Sequence, residues 1–169
     1  MPAALPHSSG PSDIFLHVQT RRAGKIKGEV ATAGHADDIH VEGWHWGLQA
    51  GSALGDTQAT SRRQYTALTV HKGIDQSTTA LMSALATNDE VKEAKLTMRR
   101  AGGVQEDFFC ITLKGARITS VQHDVNGDNN VREVLTLAFT EVEVEYRPQR
   151  STGGRGGSTI FTDSLRSQA

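Results

Sequence analysis

From Ser12 to Arg147 the chain contains no proline, and through most of that span apolar side chains recur at every second position. Proline lacks a backbone donor and interrupts strands and helices, so nothing in this stretch forces a break. Ile14, Leu16 and Val18 alternate with Phe15 and His17. Tyr65, Ala67 and Thr69 alternate with Thr66, Leu68 and Val70. Phe109, Ile111 and Leu113 alternate with Cys110, Thr112 and Lys114, and Leu135, Leu137 and Phe139 with Thr136, Ala138 and Thr140. Runs of period two that are rich in Val, Ile, Thr and aromatics read as antiparallel strands. Ala23-Gly24, Ala101-Gly102-Gly103 and Asn126-Gly127-Asp128-Asn129-Asn130 supply the turns between them.

The stretch Val131–Tyr146 constrains the fold further. Its apolar positions are odd at Leu135, Leu137 and Phe139, then even at Val142, Val144 and Tyr146. A parity switch inside one strand moves the buried face to the other side, and a bulge or corner near Thr140-Glu141 is the usual device. Such a strand belongs to a barrel or an orthogonal sandwich. Glu141, Glu143 and Glu145 then share the opposite, polar face.

One segment departs from period two. Leu81, Met82, Leu85 and Ala86 have helical spacing, Asp75, Ser77 or Thr78 offers a cap, and Asn88 can end the turn. This predicts a single short helix over Ser77–Asn88. Asp56–Arg63 reads as an exposed loop. Residues 1–12, with three of the four prolines, read as a flexible arm without a secretory signal. Residues 13–169 read as one domain, with a Gly-rich flexible joint at 151–158 before a last segment, Thr159–Leu165. No apolar run approaches the roughly 18 residues of a membrane-spanning helix. Eighteen Lys and Arg against nineteen Asp and Glu give a formal net charge of −1, without the basic excess of a nucleic-acid binder.

Chemical motifs are incomplete throughout. In a strand, Asp38, His40 and Glu42 would share a polar, solvated face and His45 would point the other way, which is no converging metal set. Asp124–Asn130 resembles the opening of a calcium loop, but its Gly is at the fourth position and Leu135 stands where a bidentate Glu belongs, so it reads as a hairpin turn. The Gly-Gly-Arg-Gly-Gly stretch lacks the Lys-Ser/Thr ending of a phosphate loop. Cys110, the one cysteine, sits mid-strand with no basic neighbour in sequence and reads as an inert core thiol. No catalytic residue, cofactor site or metal site is assigned. Trp44 and Trp46 flank His45, so on a strand both indoles take one face as core anchors, and His45 takes the other.

Several stretches together resemble the haemolysin-coregulated proteins (Hcp), tube proteins of the bacterial type VI secretion system. They are Asp13-Ile-Phe-Leu-His17, Ile26-Lys-Gly-Glu29, Asp38 to Gly47, Val70 to Thr78, Ala94 to Gly103, Ile111 to Lys114, and Val134 to Gln149. The resemblance implies a mainly β fold, a two-sheet antiparallel β-barrel with one short helix at its side. It also implies a homohexameric ring that stacks into a hollow tube, driven by a contractile sheath and associated with spike and baseplate proteins. It implies as well that effectors are carried in the lumen and that the protein leaves the bacterial cytoplasm, extracellularly or into target cells, without a signal peptide. Residue by residue, the resemblance places His45 on the channel, where family members often carry a small hydroxyl residue. It places Gly102, Gly103 and Arg166 against neighbouring rings, and the loop from about Gly51 to Arg63, with Arg62 and Arg63, against adjacent subunits. No membrane insertion and no nucleic-acid partner is implied.

Two other classes are weighed: a phage-type tail tube protein, which shares the barrel and ring logic, and a small β-barrel enzyme, which needs a pocket of clustered ionisable groups. The composition favours assembly. About one residue in five is Leu, Ile, Val or Phe, close to the level at which chains stop folding alone. A ring can bury in its interfaces the area that such a monomer leaves open.

Overall fold

The computed structural model describes residues 13–58, 62–100, 106–148 and 157–166; the N-terminal arm and most of the Gly-rich joint lie outside these ranges. The strands are β1 (Asp13–Thr20), β2 (Gly24–Ile26), β3 (Ile39–Val41), β4 (Gly43–His45), β5 (Leu48–Gln49) and β6 (Gln64–Tyr65). They continue as β7 (Leu68–Gly73), β8 (Val91–Arg99), β9 (Asp107–Val125), β10 (Val131–Ala138), β11 (Glu141–Tyr146) and β12 (Thr159–Ser164), with α1 (Ser77–Ala86) between β7 and β8. The fold is mainly β, and its strands pair in antiparallel fashion.

A long bent hairpin organises the molecule. Along one edge of β9, Phe109–Lys114 pair with β11 and Arg117–Val125 pair with β10. Both arms turn at the same level. On one arm Phe139 and Thr140 separate β10 from β11, and on the other Gly115 adopts φ +55°. The Thr140 amide and hydroxyl both donate to the Lys114 carbonyl, at 3.2 and 3.1 Å. A Cβ at Gly115 would fall onto Thr140 Oγ1. The left-handed φ and this close approach together require glycine. Beyond the corner the buried face changes sides on each arm: Ile111 and Leu113 give way to Ala116 and Ile118, and Leu135 and Leu137 to Val142. A register shift between Thr136 and Leu137 in the β9–β10 pairing adds a bulge beside the corner.

The corner divides the strands into two sheets. One continues from the first half of β9 through β8 to β1, which also pairs with β2 and β3, and outward through β11 to β12. The other runs from the second half of β9 through β10 and β7 to β4. Only Glu42 separates β3 from β4, and its amide donates to the His71 carbonyl at 2.8 Å. Since β3 pairs with β1 and β4 with β7, this kinked segment joins the two ends of the ladder and gives the barrel its outline. The run from Tyr65 to Val70, expected as one strand, is split into β6 and β7, because β6 leaves the barrel to pair with β5.

Helix α1 packs on β9 and β2. Asp75 Oδ1 accepts from the Ser77 amide at 2.9 Å, and the helix ends before Asn88, which takes φ +54°. The expected apolar stripe is corrected. Ser77, Thr78, Leu81 and Ala84 face the barrel, whereas Met82 and Leu85 face solvent. Three of the four inward residues are small, and Leu81 is the one large side chain among them.

The core contains an ion pair. Lys72 and Glu133, on neighbouring strands β7 and β10, are wholly buried and in direct contact, and Thr78 donates to Glu133 Oε2 at 2.8 Å. Lys72 Nζ also lies 3.2 Å from Asp75. The pair therefore ties the barrel wall to the start of α1.

Candidate assembly surfaces

The outward face of the second sheet is built from paired positions. His45, Thr69, Thr136 and Ser120 form one cross-strand row, and Gly43, His71, Val134 and Gln122 the next. Side chains in these rows are small or uncharged apart from the two imidazoles, whose rings stack with centroids 5.7 Å apart. Charge enters at the row of Gly73, Arg132 and Asp124, near the β9–β10 turn. On the opposite side of β4, Trp44 stacks on Phe109 at 5.9 Å. Just beyond the strand, Trp46 stacks on Tyr65 at 5.6 Å and meets the edge of Phe139 at 6.1 Å. Both indoles pack against the core, and His45 is exposed. The Trp-His-Trp alternation thus separates an anchoring face from an open one.

Arg63 is engaged within the chain. Its Nε and a terminal nitrogen donate to Asp163 of β12 at 2.5 and 2.8 Å, and the same terminal nitrogen donates to the Ser164 carbonyl at 3.1 Å. The Tyr65 hydroxyl donates to Asp163 Oδ2 at 2.9 Å. The guanidinium, first, and then the Tyr65 hydroxyl hold the Asp163 carboxyl down to about 2. Burial, reinforced by the carboxylate it contacts, pushes the Tyr65 phenol up to about 12. A planar fork on a carboxylate is a directional contact, so the end of the 50–63 loop is fastened to β12. Arg62 is exposed, and Arg166 lies beside the Gly115 corner. Gly102 and Gly103 lie outside the described residues. Among the described residues the fastened strand, β12, pairs with β11 alone and its other edge carries no ladder, and Ile160 and Phe161 are 59% and 44% exposed upon it.

A polar centre lies where a solvated strand face was expected. Asp38 is buried and accepts from Lys25 Nζ at 3.1 Å, with His35 Nδ1 at 3.0 Å and His17 Nδ1 at 3.3 Å. His35 stacks on Phe15, and its Nε2 sits 3.0 Å from Asp107 of β9. The reading of Asp38 with His40 and Glu42 fails because β3 begins only at Ile39, leaving Asp38 in the preceding turn, aimed inward. His35 is a strut between that turn and β9. The partners are up to 72 residues apart in the chain, so no local pattern announces them. Among the described residues, no group of three or more His, Cys, Asp or Glu is placed to hold a metal ion, and no helix is long and apolar enough to cross a membrane. Cys110 is buried, and that burial pushes its thiol up, away from the thiolate a nucleophile needs. In the hairpin turn, Asp128 accepts from the Asn130 amide at 3.2 Å.

Comparison with known proteins agrees with this geometry. Residues 15–146 match the family described as "Type VI secretion system effector, Hcp". Protein hcp1 of Pseudomonas aeruginosa is 35% identical over 152 residues, covering 88% of this chain and 91% of that protein. Among solved structures, one described as a type six secretion system protein superposes with a TM-score of 0.79 at 23% identity, covering 91% of this chain and 96% of its own. A mutant Hcp1 from E. coli EAEC 042 gives a TM-score of 0.75 at 19% identity, covering 91% and 99%. The fold is that of these solved structures over about nine tenths of the chain. The chain belongs to the Hcp family of type VI secretion system proteins.

Proposed function

We propose that this chain is a tube subunit: six copies form a ring, rings stack into a hollow tube, and the tube is secreted with effectors held in its lumen. The observation that carries the reading is the free edge of β12. An edge strand that offers unpaired amides and carbonyls together with exposed apolar side chains invites pairing with another chain unless it is protected. Here Ile160 and Phe161 stand out on that strand, and Arg63 braces it from the inner side. A monomer gains nothing from fixing so apolar an edge, whereas a ring covers it. The sheet face bearing His45 then lines the channel, and its small, uncharged rows suit contact with varied cargo. Gly102, Gly103, Arg62 and Arg166 belong to contacts between rings and subunits, and sheath, spike and baseplate proteins are the further partners. The role is assembly and encapsulation, without bond-making.

Substituting Phe161→Asp tests the edge. The variant is expected to elute as a monomer in size-exclusion chromatography while its far-ultraviolet circular dichroism stays that of the parent. A variant that still elutes as the parent oligomer would remove β12 from the interface.

A further inference from the structure

We propose that His45 and His71 form a two-imidazole site for a borderline divalent transition-metal ion, Cu2+, Ni2+ or Zn2+, on the open face of the second sheet. Imidazole suits these ions. The two residues come from adjacent antiparallel strands, and since His45 pairs directly with Thr69, His71 stands diagonally from it. Diagonal positions place Cβ atoms about 7–8 Å apart or somewhat less, within reach of long and aromatic side chains. Their ring centroids are 5.7 Å apart with planes 29° from parallel. Metal–nitrogen bonds of about 2.0–2.1 Å put two rings on one ion at about 5–6 Å between centroids. A shared ion requires the exposed His45 ring to turn about its χ torsions until a nitrogen of each ring points to one position.

The surroundings favour the site. Thr69, Thr136, Ser120 and Gln122 are the strand neighbours of the rings and are neutral, so among the described residues these two rows bring no cation against a bound ion. Arg132 stands one row away, at the level of Gly73. Among the described residues neither imidazole makes a short contact with a carboxylate, unlike His35, whose two nitrogens are held by Asp38 and Asp107. With two protein ligands, the remaining coordination positions stay open to water or to a donor group on a bound molecule. Metal binding therefore gives this face a means of holding a partner that its uncharged rows lack. The site needs only one protomer, so its failure and the failure of ring formation are read separately.

The test is calorimetric titration of the full chain with Zn2+, paired with electron paramagnetic resonance of the Cu2+ form. One ion per chain is expected, with a spectrum showing two imidazole nitrogens. His45→Ala and His71→Ala should each weaken binding at least tenfold and leave one nitrogen, and the double variant should abolish the site. His40→Ala, on a different strand, should change neither readout. Circular dichroism and chain mass confirm that each variant keeps its fold and assembly. Unchanged affinity in the double variant, or loss of binding on His40→Ala alone, would overturn the proposal.

Discussion

Replacing Lys72 by Met would leave Glu133 charged and buried without its cation, a change that costs about 3–5 kcal/mol. Urea denaturation followed by circular dichroism should show that loss, and the double substitution Lys72→Met with Glu133→Leu should recover most of it. A single-variant loss below about 1 kcal/mol would mean that water reaches the pair. Asp163 supports a second prediction at this scale. Its carboxyl lies near 2 in the folded chain against an ordinary 3.8, so the stabilisation is complete above about pH 4 and is lost as pH falls towards 2. Carboxyl chemical shifts recorded across that range should place its titration near 2 in the parent and nearer the ordinary value in Arg63→Gln. A midpoint that ignores Arg63 would contradict the contact. Little at this scale was legible beforehand. The Trp-His-Trp alternation separated anchors from an open face, because period two is a local property. The links His35–Asp107, Lys72–Glu133 and Arg63–Asp163 join distant positions, and only the folded topology brings them together.

Strands and corners were more readable. The parity switch between Phe139 and Val142 placed a corner near Thr140, and the break between β10 and β11 falls there. The matching switch on β9, from Leu113 to Ala116, carries the same information, but Lys114 and Gly115 interrupt the alternation and hide it. Two aligned switches mark a bent hairpin; one alone marks a bulge. The helix was placed correctly but its face was not, since Ser77, Thr78 and Ala84 pack by being small and do not register as an apolar stripe. Gly115→Ala tests the corner. An L residue at this φ costs roughly 1–2 kcal/mol, and the overlap with Thr140 adds a packing penalty of about 1–3 kcal/mol. Equilibrium denaturation should therefore show a loss of about 2–5 kcal/mol. A neutral result would mean that the corner is set elsewhere.

At the scale of the whole molecule, the sparse large apolar residues of the sequence have a structural counterpart. The barrel buries one continuous core, yet Leu54, Ile160 and Phe161 remain outside it. The net charge of −1 leaves little repulsion between identical copies. The apolar edge strand and the neutral rows around His45 support the proposed ring, and the chain belongs to the Hcp family of type VI secretion system proteins. Native mass spectrometry of the purified chain with negative-stain microscopy tests this most directly. Particles of six times the 18.2 kDa chain mass, appearing as rings with a central hole, are expected; a stable monomer at micromolar concentration would contradict the assembly.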